Sequence, residues 1–479
     1  MENFGCRAAR ADGEAVSARL RADGLTERSL PEADVVVLNT CSVTAEADRD
    51  ARAFVRKTRR LNPEAKIVVT GCYAQRAPAE IAALDGVSAV VGNSHKGMVP
   101  EIVQGLIRGG DSQTNAAFIP ASDLLLNSGA ARVWADDRFA HSHIEGVQVV
   151  PGLQTRPNLK IQEGCGNRCT FCIIPTTRGA SRSLPCAKVL AQVRGFVAAD
   201  GKELVISGIN LGRWGHDLPE KHTLAGLVRE ILTETQLARL RLSSIEPMDW
   251  TPELIGLMRD FGGSRLARHA HLPLQSGSDA VLRRMHRRYR PWHYEHKVAA
   301  LLDAAGPALA VGADVMTGFP GESDAEFRET YDLIARLPFT YLHLFPFSPR
   351  PGTRGWEMHR QTPVAAQAVA ERMAALRDLA AEKSRRFRTS LIGRELPGIT
   401  LHTTPALVAQ GRSPALTDNY LPVELRETWP ANQLVRLHVT GVASAGVVEA
   451  ATKTWGAVAG PGDPGIHSND NIPNHPYRT

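Results

Sequence analysis

Twice along this chain, short apolar runs alternate with longer helical segments, and most runs stop at a residue able to do chemistry. Such alternation predicts a parallel α/β sheet, because a helix must carry the chain back before the next strand can run parallel to the last. The first series fills residues 1–107. ADVVVLNT ends at Thr40, KIVVTG ends at Gly71 and SAVVGN follows, with an Arg-rich helix and a helix opening near Pro78 between them. The second fills residues 158–385. Strands are expected at LKIQ, ELVISG, RLRLSS, HAHLPL, VGADVMTG and YLHLFPF, with helices at 224–233, 252–261, 291–305 and 324–337. Six strands in this order predict a partial or full (β/α) barrel whose working face lies at the carboxyl ends of the strands.

Polar and cysteine residues sit at those ends. Cys165, Cys169 and Cys172 follow the first strand, Gly208 and Asn210 the second, and Ser243, Ser244 and Glu246 the third. Gln275 and Ser276 follow the fourth, and Gly318 to Glu322 the fifth. Each alone is more often a turn former or helix cap. Five successive strand ends together define one mouth.

The remaining segments have a different grammar. Residues 108–157 hold little periodicity and read as a linker that partly packs across the two domains. In residues 386–456, LPGITLH, ALVAQG, TDNYLPVEL, NQLVRLHVTGV and GVVEAATK read as short strands of a small antiparallel barrel. Residues 457–479 are rich in Gly, Pro and Asn and read as a disordered tail.

The cysteines narrow the chemistry. EGCGNRCTFCIIP sets Cys165, Cys169 and Cys172 in a C-x3-C-x2-C spacing on a Gly-bearing loop. Three thiolates this close can wrap one face of an iron–sulfur cube and leave the fourth iron open to a small molecule. Phe171, just before the third cysteine, offers an aromatic face to a nucleoside. A structural zinc knuckle is the alternative, but zinc usually takes four closed ligands, and the next cysteine is Cys186. A closed electron-transfer cluster would want a fourth nearby cysteine. Cys186, after Pro185, reads as structural, and His269 and His271 read as packing or substrate contacts. Cys41 and Cys72 come directly after their strands, and Cys6, on the loop before the first helix, lies at the same edge if a strand precedes it. Three cysteines at strand exits converge in space; the alternative is three separate buried thiols.

Seven cysteines, an odd number in a long chain, point to metal or cofactor chemistry in a reducing compartment, hence the cytoplasm. No run of about twenty apolar residues occurs, so no membrane partner is expected. The polar N-terminus does not read as a signal peptide. A net charge of +6 permits nucleic-acid binding. Basic residues cluster at Arg49, Arg52, Arg56, Lys57, Arg59 and Arg60, at 283–290 and at 383–388. Each cluster is either a solvated helix face or a contact for a phosphate-bearing partner.

The three-cysteine run resembles the signature of radical S-adenosylmethionine enzymes. Over residues 1–456 the chain resembles the methylthiotransferases of that superfamily. The likeness rests on FGCRAARADGEA, LNTCSVTAEAD and VVTGCYAQ, on SGINLGRWG, SSIEP, HLPLQSGS and GFPGE, and on ALTDNYLPVEL, similar to the RNA-associated TRAM barrel. TCSVTAEADRDAR, GCYAQRAP and VVGNSHK are most similar to the branch acting on threonylcarbamoyladenosine of tRNA. Other branches act on isopentenyladenosine of tRNA or on a ribosomal protein side chain. A reading from another class is a metal-stabilised RNA-binding scaffold without catalysis.

The resemblance implies two 4Fe–4S clusters, one on Cys165, Cys169 and Cys172 and one on Cys6, Cys41 and Cys72. It implies that Phe171, Gly208, Asn210, Ser243, Glu246, Gln275, Gly318 and Gly321 cradle S-adenosylmethionine. One such molecule then yields a radical that takes hydrogen from the adenine at tRNA position 37, and a second supplies the methyl group. An external electron donor, a sulfur donor and a monomeric enzyme are expected. The chain departs from the family pattern in two places. Only Met1 to Gly5 precede Cys6, which leaves either a true start upstream or a first sheet without its edge, and Arg7, Ala8 and Ala9 replace a Lys-Val-Asn run.

Overall fold

The computed structural model describes residues 1–108, 131–139, 155–442 and 448–454. The proposed tail and most of the proposed linker lie outside the described residues.

The first sheet has five parallel strands in sequence order. They are β1 (Glu2–Asn3), β2 (Val35–Thr40), β3 (Lys66–Gly71), β4 (Val87–Gly92) and β5 (Arg132–Trp134). The inner three are rich in Val, Ile and Leu because helices cover both faces. Two details go beyond the sequence reading. The edge is a two-residue strand, Glu2 and Asn3 pairing with Leu38 and Asn39. Within the segment read as a linker, β5 pairs with β4 and widens this sheet.

The barrel is built from β6 (Asn158–Glu163), β7 (Arg182–Ser183), β8 (Glu203–Gly208), β9 (Arg239–Leu242), β10 (His269–His271), β11 (Ala310–Thr317) and β12 (Tyr341–Pro346). Apart from the short antiparallel β7, these strands run parallel in chain order, with the ladder interrupted between β9 and β10. It is a partial barrel, one of the two forms the strand–helix alternation leaves open. Its core is one apolar cluster in which Leu159, Ile206, Leu240, Val311 and Val315 from the strands meet Val193, Val228, Leu257 and Leu301 from the helices.

The third unit is a closed barrel of β13 (Glu395–Thr400), β14 (Ser413–Thr417), β15 (Pro422–Leu425), β16 (Leu434–Val442) and β17 (Val448–Thr454). Two expectations are corrected. The run ALVAQG is not a strand: Pro405–Ala409 is a helical turn, and Pro405 suits its first position because a proline there sacrifices no hydrogen bond. The barrel is also not wholly antiparallel, since β15 and β17 pair in parallel to close it.

The loop 417–421 bolts this unit to the larger barrel. Arg241 donates to the carbonyls of Asp418 (2.9 Å) and Thr417 (3.1 Å). Arg268 pairs with the Asp418 carboxylate, and Asn419 donates to Ala308 O. Arg241 and Arg239 in turn share the fully buried Glu203. At the other end, Arg350 and Arg76 converge on the buried Asp48, joining the first sheet to the chain after β12.

Candidate active site

The central cysteine loop starts where β6 ends. Gly164 sits at φ +69°, and a Cβ there would lie 2.0 Å from the carbonyl oxygen of Ala180. Only glycine lets the chain turn so close to that backbone. Cys165 N–H then donates to Gly179 O, and Cys172 N–H to Cys169 O, closing the loop on itself. All three cysteines are half-buried. Cys165 Sγ accepts from Asn167 N–H (3.4 Å) and Asn210 Nδ2 (3.5 Å). Cys169 Sγ accepts from Arg287 Nη1 at 3.3 Å, and the same guanidinium pairs with Glu246. Burial, helped by the neighbouring Cys169 and Cys165 sulfurs, pushes the Cys172 thiol up to about 12. Thiols this far from ionisation need a cationic partner to become ligands.

The second trio follows from register. Thr40 pairs with Gly71, and Gly71 with Gly92, so β2, β3 and β4 end in line. Cys41, Cys72 and Asn93 are the next residue of each. Gly5 approaches so closely that a Cβ on it would lie 2.6 Å from Cys41 Cβ, which brings Cys6 to the same corner. Cys41 and Cys72 are buried and Cys6 is exposed. Burial, then the proximity of Cys72 and Cys6, pushes Cys41 up to about 12.

Donor spacing tests which group fits. Among the described residues, one set of three donors has its ligand atoms all within 4.8 Å, and it is His271, Asp314 and His343. Each cysteine trio offers three thiolates, one short of the closed set of four that a structural zinc takes. Three thiolates suit a cube that keeps its fourth iron open. Both trios fit a 4Fe–4S cluster better than zinc.

Around the barrel mouth, buried polar atoms lack partners. Asn210 Oδ1, Ser243 Oγ and Gln275 Oε1 make no hydrogen bond. A buried oxygen left alone costs about 1–3 kcal/mol, so three at successive strand ends fit a polar ligand. Gln275 is held at φ +62°, a conformation uncommon outside glycine. Gly318 at φ +72° packs against Val369, and its N–H donates to Glu322 Oε2, itself paired with Arg372. Gly321 is exposed on the same turn. Gly208 leaves room for the Gln162 side chain, 2.8 Å from where its Cβ would be. Glu246 faces Arg287 rather than standing free, so it orients that arginine. Phe171 is half-buried and packs on the barrel core.

Several residues given no role by sequence reasoning belong to this region. Gln162, fully buried, accepts from Asn210 N–H and donates to Glu163 O, Gly164 O and Ser181 Oγ, tying β6 to the β8 loop. Asn93 Nδ2 lies 3.5 Å from Cys72 Sγ and donates to Thr177 O at 2.8 Å. Between the trios lies a buried charge network. Arg178 Nη1 bonds Asp12 (3.0 Å) and Glu163 (2.8 Å), and Lys96 and Lys160 also bond Asp12. Burial opposes ionisation of Glu163, yet Arg178 and Lys160 hold it down to about 2. Asp314 bridges His271 (3.3 Å) and His343 (3.2 Å), an association invisible until β10, β11 and β12 align. Cys186 instead donates to Glu230.

The basic clusters divide. In the second, Arg287 is buried at Cys169, and Arg284 pairs with Glu326. In the third, Lys383 donates to the carbonyls of Ala335 and Leu337. In the first, Arg49, Arg56, Lys57 and Arg60 stay exposed.

Comparison with known proteins adds relatives. Residues 1–92 match the uncharacterized protein family UPF0004, and residues 159–334 match the radical SAM superfamily. The chain is 32% identical to the threonylcarbamoyladenosine tRNA methylthiotransferase MtaB of Aquifex aeolicus, covering 91% of this chain and 98% of that one. It is 36% identical to the protein of that name from Bacillus subtilis, covering 89% and 90%. A tRNA-2-methylthio-N(6)-dimethylallyladenosine synthase of Geobacter metallireducens is 33% identical over 74% of this chain and 76% of its own.

Proposed function

Because the chain belongs to the methylthiotransferase family of radical SAM proteins, we propose that it methylthiolates the adenine of threonylcarbamoyladenosine at tRNA position 37. Relatives carrying that substrate in their names match it over nearly their full length, at 32% and 36% identity. The match to the dimethylallyladenosine enzyme is shorter.

The observation that carries the reading is the proximity of two separate three-thiol sites. The helix Ile174–Arg178 begins two residues after Cys172 and ends beside Cys72 and Cys6, whose charges act on Arg178. Five residues of helix span about 8 Å. Two clusters this close can serve one substrate base between them. When bound, the clusters and S-adenosylmethionine supply the electron, radical, methyl and sulfur chemistry. The chain's residues do the holding. Cys165, Cys169 and Cys172 ligate one cluster, and Cys6, Cys41 and Cys72 the other. Asn210, Ser243 and Gln275 offer their unpartnered oxygens to the amino acid and ribose groups of S-adenosylmethionine. Gly318 and Gly321 shape the turn beside it, Gly208 makes room for Gln162, and Phe171 presents its ring near the cluster loop. Arg287, aligned by Glu246, fixes Cys169. The enzyme works as a monomer in the cytoplasm, with a separate electron donor and sulfur donor.

The test is anaerobic turnover with two tRNAs, one carrying threonylcarbamoyladenosine and one carrying isopentenyladenosine. Methylthiolation of the first with little of the second is expected. The reverse preference would assign the chain to the other tRNA branch.

A further inference from the structure

Arg178 is fully buried, and only one of its three nitrogens is used. Nη1 takes both carboxylates, Asp12 and Glu163, while Nε and Nη2 have no hydrogen-bond partner. Buried guanidinium N–H groups are seldom left this way, because each forfeits a hydrogen bond it made to water. The backbone places Arg178 beside the second trio. Thr177, the preceding residue, is bonded through its carbonyl to Asn93, which also reaches Cys72 Sγ. Burial disfavours the Arg178 charge, yet Cys72, Glu163, Asp12 and Cys6 outweigh it and keep the guanidinium cationic.

Charge balance points the same way. The network holds three cations, Lys96, Lys160 and Arg178, against two anions, Asp12 and Glu163, which leaves one positive charge in excess. An oxidised 4Fe–4S core of about +2 with three thiolates carries about −1. The other trio offers an internal parallel. There Arg287, aligned by Glu246, donates to Cys169 Sγ at 3.3 Å.

We propose that Arg178 donates the free N–H groups of Nε and Nη2 to the cluster held by Cys6, Cys41 and Cys72, and that this contact stabilises the cluster's reduced state. The inference rests on the two-cluster reading. When one electron from dithionite reduces the cluster, its net charge becomes more negative by one, and a fixed cation in direct contact favours that state. Asp12 aligns the guanidinium and partly offsets its charge.

The experiment is a redox titration followed by electron paramagnetic resonance, in full-length protein with Cys165, Cys169 and Cys172 changed to Ala so that the second cluster alone reports. Arg178→Gln should make reduction about tenfold less favourable, a drop of about 59 mV for one electron. Asp12→Asn should shift the potential upward instead. Both variants break the same ion pair, so damage to structure alone would move them in the same direction. Arg178→Lys keeps the charge but not the paired donors. It should recover most of the potential while altering the coupling to solvent-exchangeable protons near the cluster. An unchanged or raised potential in Arg178→Gln, or an unchanged or lowered one in Asp12→Asn, overturns the proposal. If Arg178→Gln cannot hold the cluster, Asp12→Asn decides by its own criterion. Failure of the parent protein to bind a cluster at all would instead defeat the two-cluster reading.

Discussion

Replacing Gly71 with Ala should strip one cluster from this protein and leave the other. Gly71 is the last residue of β3, sits at φ +100° and pairs in register with Thr40. A methyl there would lie 2.3 Å from Thr40 O and 2.6 Å from Thr40 N. Both are backbone atoms of a buried strand, so neither can swing aside. Ordinary contact begins at 3.4 Å, so the strands must part by about 1 Å in a closely packed interior. Its φ +100°, ψ −160° backbone, a region essentially confined to glycine, adds about 1–3 kcal/mol. That displacement falls where Cys41 and Cys72 leave their strands, and ligand distances tolerate only about 0.2 Å. A misplacement of about 1 Å costs on the order of 100-fold in reaction rate. Anaerobically reconstituted wild-type protein should hold about eight irons per chain and Gly71→Ala about four. The variant should still cleave S-adenosylmethionine to 5′-deoxyadenosine but not methylthiolate tRNA, with far-UV circular dichroism unchanged. Full iron content together with wild-type methylthiolation would refute the idea that strand register assembles the second site.

Three further outcomes follow from the same geometry. Asn210→Ala removes an unpartnered acceptor at the mouth, so equilibrium dialysis should show S-adenosylmethionine binding about tenfold more weakly; unchanged affinity would remove Asn210 from the cradle. Glu203→Gln leaves the buried Arg239 and Arg241 without their shared anion, so urea unfolding should show a loss of about 3–5 kcal/mol. A loss below about 1 kcal/mol would mean those arginines find other partners. The same carboxylates define an acid limit. Burial alone would raise Glu203 and Glu163, but Arg241 and Arg239 hold the first, and Arg178 and Lys160 the second, down from 4.5 to about 2. Their unfolded pKa is the higher one, so their contribution is complete above about pH 4.5 and is lost as pH falls towards 2. Melting temperature should therefore decline through that window, and less steeply in Glu203→Gln.

Local chemistry was legible in the sequence and long-range pairing was not. Cys165, Cys169 and Cys172 lie within one loop, so spacing alone brings them together. Cys41 and Cys72 could be placed because each follows an apolar run directly, and parallel strands end on one edge. The same rule puts Gly208, Asn210, Ser243, Gln275 and Gly318 at strand ends. Arg178 was passed over because its carboxylate Asp12 is 166 residues away in the chain. His271, Asp314 and His343 come from three strands whose relative register no pattern in the sequence states. The run ALVAQG misled because five apolar or small residues fit a strand or a helical turn equally well, and Pro405 decided between them. The barrel's parallel closure through β17 is a matter of topology, which alternation of hydrophobic residues does not encode.

The central claim is that this chain places a methylthio group on threonylcarbamoyladenosine in tRNA. The most direct measurement is mass spectrometry of nucleosides from total tRNA of a strain lacking the gene, with and without complementation. The account predicts loss of the methylthio form, accumulation of threonylcarbamoyladenosine and recovery on complementation. An unchanged nucleoside profile, in a strain with no second enzyme of this family, would contradict it.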